Sequence, residues 1–430
     1  MPRKDPLTGK IKWYKSEGAV AVYSALISIL IGLAVGALVV IIVGVAKTNI
    51  SPKGIVEGIK LVFLGVLSTG RKAGELSFGF NGVNIGNMLF RATPLIMTGL
   101  SVAIAFKTGL FNIGAAGQFL MGTAGTLTVG HVLGNTDCPV FLAWLLAFLT
   151  GVILGGLWGA IPGIFKATLN INEVITCIMT NWIAANLVTW WFEANDIFKN
   201  SAEGGKVGYI IPLKNVGVVT PKMLMDKIFT GSQANGGFWI ACLIAVAMWV
   251  MMTKTTFGYE LRACGSNRHA ARYAGINDKR SIILSMAIAG CLAAAGASLY
   301  YLSGNTEFYW STYQKLPAEG FNGIPVALLA ANHPVGVVFS GIFMSMLNIS
   351  GLQLKYLTAY NEYIADIIIA VIVYLSAFSM LFKTVLSKKI KSDTGNVNAD
   401  VAVDTAKEEA EKADDMKDAK EEINEKGGQK

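Results

Sequence analysis

Seven polar side chains fall within otherwise apolar runs of the chain: Arg91, Asn112, Gln118, Glu173, Asn181, Asn322 and Asp366. A polar group at hydrocarbon depth is costly, so such groups mark solute or ion paths. Arg91 lies three residues before Pro94, close to the end of its run, where a guanidinium can snorkel to the interface. Glu173 opens a run in Asn172-Glu173-Val174, and an acid in a first turn suits the helix dipole. Asp366 sits one turn inside the last run, within reach of a neighbouring helix. Two Gly-rich pieces, FNIGAAGQFLMG (111–122) and GFNGIPVALLA (320–330), each join Phe-Asn to Gly and Ile at the start of a short apolar stretch. Glycine there either lets backbones approach closely or breaks a helix where it lines a cavity. The residues alone leave both open.

An energy source is missing. A P-loop needs GxxxxGK[ST], whose amides cradle phosphate and whose lysine neutralises it. The nearest match, Gly65-Val-Leu-Ser-Thr-Gly70-Arg71-Lys72, carries Arg-Lys where Lys-Ser/Thr belongs. The chain is therefore expected to bind no ATP by itself. Three histidines far apart provide no metal cluster, and five cysteines without a CxxC spacing read as small buried hydrophobes. No arrangement of Ser, His, Asp or Glu supports a hydrolytic centre, so catalytic and metal-ligating residues are expected to be none.

The elements that must position these groups are membrane helices. Of 430 residues, 53% are hydrophobic and 15% charged, with a mean hydropathy of +0.51. Soluble domains carry about 25% charged residues. No charge interrupts Val20 to Ala46, a run longer than the roughly 20 residues needed to span hydrocarbon. It is also too long for the apolar core of a signal peptide, and reads as a retained span. The runs do not alternate as barrel strands would. The fold class expected is an all-α polytopic membrane protein of about ten transmembrane helices, with re-entrant or broken segments and both termini cytoplasmic. Spans are expected near 20–46, 87–106, 110–133, 139–162, 174–192, 238–253, 281–302, 321–331, 335–352 and 361–382. An amphipathic stretch at 55–67, too short to cross, reads as an interfacial helix.

Charge sets the orientation. Basic residues exceed acidic ones in residues 1–19, in the 254–280 loop and just after the last span, and such excess marks the cytoplasmic side. One conflict stands: the expected outer segment 47–84 carries Lys47, Lys53, Lys60, Arg71 and Lys72. The division expected is an N-terminal segment 1–19, a membrane domain 20–386 and a charged, disordered tail 387–430. From Ser392 onward the tail has 12 acids and 6 lysines, leaving a basic body without the aromatic-basic stripe of a nucleic-acid binder.

The loop 254–280 reads KTTFGYELRACGSNRHAARYAGINDKR. Ala270-Ala271, Arg272, Tyr273 and Ala274 describe a short amphipathic helix stopped by Gly275. The ELRACGSNRHAARYAGI stretch resembles the coupling-helix region of binding-protein-dependent ABC transporter permeases of the sugar and nucleoside branch. FNIGAAGQ, NEVITCIMTNWIA and GFNGIPVALLAANHP are similar to segments of that branch, in the same order. The resemblance spans roughly residues 85–385.

It implies that Gly265, Ser266, Asn267, Ala270, Ala271, Arg272, Tyr273, Gly275 and Ile276 contact a cytoplasmic ATPase, with Arg268 and Arg272 free to pair with its acids. It places Asn112, Gln118, Asn181, Phe321 and Asn322 along the substrate path. The partners implied are a second permease subunit, an ATP-binding subunit that holds ATP-Mg, and a substrate-binding lipoprotein outside the bacterial cell membrane. No cofactor is implied in this chain. The solute is expected to be a nucleoside, with ribose-type sugars, riboflavin and purine-like compounds as alternatives, and Trp182 and Trp190 offer further stacking surfaces. An ion-coupled secondary transporter is the alternative reading, with Glu173 and Asp366 as its relay. The chain departs from the family pattern twice. Ala116 stands where NIG-x-EGQ has an acid, and Arg268 where the coupling loop often has proline.

Overall fold

The computed structural model describes residues 17–47, 50–199, 208–309, 315–361 and 363–377. In chain order these form α1 (Glu17–Ala46), α2 (Pro52–Leu64), a hairpin of β1 (Ser68–Lys72) and β2 (Glu75–Phe78), and α3 (Gly82–Lys107). Next come α4 (Ala115–Gly134), α5 (Val140–Leu169), α6 (Glu173–Ala194), a single turn α7 (Met225–Ile228) and α8 (Gly237–Lys254). The chain then forms α9 (Thr256–Ser266), α10 (Arg268–Tyr273), α11 (Asp278–Tyr301), α12 (Ala318–Leu329), α13 (Pro334–Leu357) and α14 (Tyr363–Ala377). The expectations for residues 1–16 and for the tail 387–430 lie outside the described residues.

Helix starts follow local chemistry. Asn81, Asn172, Thr255, Asn267 and Asn277 each accept a hydrogen bond from a first-turn amide, starting α3, α6, α9, α10 and α11. His333 caps α13, with Pro334 in the first turn.

Seven helices among the described residues are long and apolar enough to cross a membrane: α1, α3, α5, α6, α8, α11 and α13. The ten runs read from the sequence all form helices. The other three are α4, whose 20 residues are rich in Gly and Thr, α14, with 15 described residues, and α12, with 12. At 1.5 Å per residue α12 is about 18 Å long, well short of the roughly 30 Å of hydrocarbon.

The centre is α3, whose middle is buried without a break from Ala92 to Ala105. Around it, other helices approach one another through small residues. On α5, Gly151, Gly155, Gly159 and Gly163 recur every fourth residue and so share one face. That face meets Met286, Gly290, Ala294 and Ser298 of α11; a Cβ on Gly159 would lie 2.5 Å from the Met286 carbonyl oxygen. Gly32 and Gly36 of α1 receive Ile372 and Ile368 of α14.

The segment read as one interfacial helix is a helix plus a hairpin. α2 ends at Leu64, and the Gly65–Lys72 run makes a short 3-10 turn and β1, with no helix following the glycines to cradle a phosphate. The hairpin also answers part of the charge conflict. Arg71 pairs with the buried Glu57 and donates to the Leu357 carbonyl at 2.8 Å, while Lys53 pairs with Glu75 at 3.1 Å.

Candidate functional site

Three groups of residues singled out from the sequence take definite places. The first is the α9–α10 hairpin. Its stem is locked to the bundle at Gly265, where a Cβ would lie 2.3 Å from the Lys107 carbonyl oxygen at the end of α3. Asn267 closes α9 and caps α10, its Oδ1 accepting from the Ala270 amide at 3.0 Å. Gly275 has φ +81°, the left-handed region that favours glycine, and releases the chain toward α11. Ile276 is half-buried, its amide donating to the Ala271 carbonyl at 3.0 Å.

Within this hairpin Arg268 and Arg272 converge on one carboxylate. Arg268 Nε donates to Asp278 Oδ2 at 2.6 Å, and Arg272 Nη2 donates to the same oxygen at 2.7 Å. Arg272 is held above its ordinary pKa, chiefly by this hydrogen bond and the Asp278 charge. Two details bear on the expectations here. Both arginines pair within the chain, with the Arg272 side chain still 59% exposed, and Ala271 is buried at 4%, so it packs inward. The surface presented includes Ser266, Asn267, His269, Ala270, Arg272, Ala274, Gly275 and Tyr273, the last 95% exposed. Sequence reasoning missed Asp278. Arg268 and Arg272 share a helix face at i, i+4 spacing, and an acid just beyond the glycine turn was the signal that could have found it.

The second group is an amide knot where the chain enters α4. Asn112 Nδ2 donates to Gln118 Oε1 at 2.8 Å and to Ser101 Oγ at 3.0 Å. Gln118 Nε2 returns a bond to Asn112 Oδ1 at 3.1 Å, and that oxygen also accepts from the Gly114 amide. Asn181 of α6 bridges in, accepting from the Gly117 amide at 2.8 Å and donating to the Ile113 carbonyl at 3.0 Å. All three side chains are buried. Backbone groups of the irregular stretch 109–114, the Gly114 amide and the Ile113 carbonyl among them, therefore find side-chain partners inside the protein, as membrane depth favours.

Phe321 and Asn322, the third group, are half-buried in the first turn of α12. Gly320 before them abuts the Ala116 backbone, and Gly323 after them abuts Thr98 of α3. The two Gly-Asn pieces thus meet through Gly320 and Ala116. The short α12 starts alongside the middle of α3 and ends near its C-terminus. There His333, in the turn after α12, is held below its ordinary pKa by burial and by the Lys107 charge. Of the other flagged groups, Glu173 pairs with Lys166 at 2.9 Å. Trp182 and Trp190 are 54% and 62% exposed, and Trp190 lines an apolar pocket beside Met121 and Leu187. No cluster of three metal-ligating side chains occurs among the described residues.

Residues 84–377, containing all three groups, match the family described as branched-chain amino acid transport system, permease component. The chain belongs to this family. Among its relatives are ABC transporter permeases. The guanosine ABC transporter permease protein NupP of Bacillus subtilis is 34% identical, over 84% of this chain and 95% of its own length. The nucleoside ABC transporter permease protein NupB of Lactococcus lactis is 33% identical, over 73% and 88%. The glucose ABC transporter permease protein TsgB13 of Haloferax volcanii is 30% identical, over 83% and 87%. Each of the two bacteria also has a second, more distant permease that matches this chain. The chain is thus a multi-pass permease subunit of the plasma membrane, a transport component and not an enzyme.

Proposed function

We propose that this permease forms one part of the translocation path of a binding-protein-dependent importer of nucleosides. A second permease of the same family completes the path, a cytoplasmic subunit hydrolyses ATP with Mg, and a lipoprotein delivers the solute from outside. The α9–α10 hairpin carries the reading. It is a small protrusion with an exposed tyrosine tip, fixed to α3 through Gly265 and to α11 through Asp278, so a push on its tip reaches the two most deeply packed helices. On this reading the hairpin is cytoplasmic, as are both termini, and the named coupling residues divide the work. Ser266, Ala270 and Tyr273 meet the ATPase, whereas Gly265, Asn267, Ala271, Arg272, Gly275 and Ile276 hold the shape.

The solute passes Phe321 and Asn322, where α12 starts inside the bundle and offers half-buried side chains. Asn112, Gln118 and Asn181 hold α4 against that path. Nucleosides are favoured over sugars because two relatives named for guanosine or nucleosides match better than the two named for glucose. An ion relay through Glu173 has lost its support, since that carboxylate is neutralised by Lys166. The test is purification of the complex from native membranes. An ATPase, a second permease and a nucleoside-loaded lipoprotein should accompany the chain; a lipoprotein loaded with a sugar would redirect the substrate assignment.

A further inference from the structure

An open polar pocket of about 560 Å³ lies at the end of the bundle remote from α9–α10. Its position follows from α11, whose first residue is Asp278 of the hairpin clamp and whose last turn carries Tyr300 of the pocket wall. These ends are about 36 Å apart for a straight helix of this length. If the hairpin is cytoplasmic, the pocket opens outside. Its size falls in the range of small-molecule sites, roughly 300–1,000 Å³.

The chemistry of the wall is specific. Phe90 and Tyr300 stack with centroids 5.5 Å apart and rings 16° from parallel, forming an aromatic side. Next to Phe90, Arg91 is exposed to the pocket and makes no ion pair or hydrogen bond among the described residues. The side-chain amides of Gln233 and Asn215 are also without hydrogen-bond partners there. The backbone that presents them is held: the Gln233 amide donates to Asn87 Oδ1 at 2.8 Å, and Asn305 Nδ2 donates to the Gln233 carbonyl at 3.1 Å. A guanidinium is a planar fork of donors with no acceptor, matched by two acceptors side by side in one plane. The O6 and N7 atoms of a 6-oxopurine provide that pair, whereas adenine offers one acceptor beside one donor. Free amides, able both to donate and to accept, suit ribose hydroxyls.

We propose that this pocket is the entry site for a 6-oxopurine nucleoside, with Arg91 reading the base edge against the Phe90–Tyr300 wall. The proposal rests on the importer reading above and deepens it, adding a substrate class and a specificity residue. Arg91, which the sequence shows as an arginine near the end of an apolar run, is on this view kept there for recognition.

The assembled transporter in lipid nanodiscs, without its binding protein, tests this by equilibrium binding of radiolabelled inosine and adenosine. The wild-type complex should bind inosine saturably and more tightly than adenosine. Arg91→Lys keeps the charge and loses the fork, so inosine affinity should fall about tenfold, the equivalent of 1.4 kcal/mol, with a smaller change for adenosine. Arg91→Ala should weaken inosine at least as much, and gel filtration of both variants reports whether the complex still assembles. Equal inosine affinity in Arg91→Lys and wild type would overturn the proposal, reducing Arg91 to a general positive charge. So would a wild-type complex that imports inosine with ATP yet shows no saturable binding. A wild-type complex that imports no nucleoside at all would instead remove the importer reading itself.

Discussion

Arg268 Nε donates to Asp278 Oδ2 at 2.6 Å, tying the six-residue helix α10 to the first turn of α11. Arg272 reaches the same oxygen, so the carboxylate is a shared anchor and the arginines are partly redundant. Arg268→Ala is therefore expected to leave coupling nearly intact, because Arg272 still holds the Asp278 carboxylate. Asp278→Ala removes the anchor for both and should sharply lower solute-stimulated ATP hydrolysis by the assembled complex. A double-mutant cycle of Arg268→Ala with Arg272→Ala should be non-additive, the pair costing more than the sum of the singles.

Ala270 and Ala271 are neighbours with opposite exposures, and this separates contact from packing. Ala271→Trp overfills a buried site and should destabilise the hairpin itself by about 1–3 kcal/mol. Ala270→Trp should leave the permease stable and block the ATPase. Co-purification of the ATPase and thermal unfolding of the permease distinguish them: Ala270→Trp should affect the first and Ala271→Trp both.

The amide knot and the α12 entry should also respond differently. Asn181→Ala leaves the Gly117 amide and the Ile113 carbonyl unsatisfied in a buried site, costing about 1–3 kcal/mol. The melting temperature of the purified complex should fall. Asn322→Leu should lower uptake while melting temperature and ATPase assembly stay near wild type. A normal uptake rate in Asn322→Leu would take that residue off the solute path.

The α5–α11 seam depends on the absence of side chains. Gly159→Leu would drive a side chain into the backbone at Met286 and Gly290. Overpacking of this kind typically costs about 1–3 kcal/mol, so yield and melting temperature should both drop. Gly217→Ala, where nothing lies near an added Cβ, should cost only the strain of its φ of +75°.

The helices were legible because uninterrupted apolar runs mark the spans, and Asn or Thr caps start α3, α6, α9, α10 and α11; α6 begins at Glu173, one residue from the position read at Val174. The hairpin at 68–78 was not, since STGRK and ELSF are too short and too polar to show a strand period. The coupling-helix residues are proposed from their resemblance to a family pattern. Their burial was not legible, because the spacing Ala270-Ala271 says nothing of which alanine faces the bundle. Asp278 escaped for a related reason: at the first position of a helix an acid already has a local explanation, and only the three-dimensional turn at Gly275 brings it under both arginines.

The central claim is that transport through this permease is driven by ATP hydrolysed in another chain. Guanosine uptake should be measured in cells whose membrane potential and proton gradient are collapsed while ATP is maintained, with the permease deleted and restored. The account predicts that permease-dependent uptake persists under these conditions and stops when ATP is depleted. Uptake that vanishes with the potential and survives ATP depletion would contradict it.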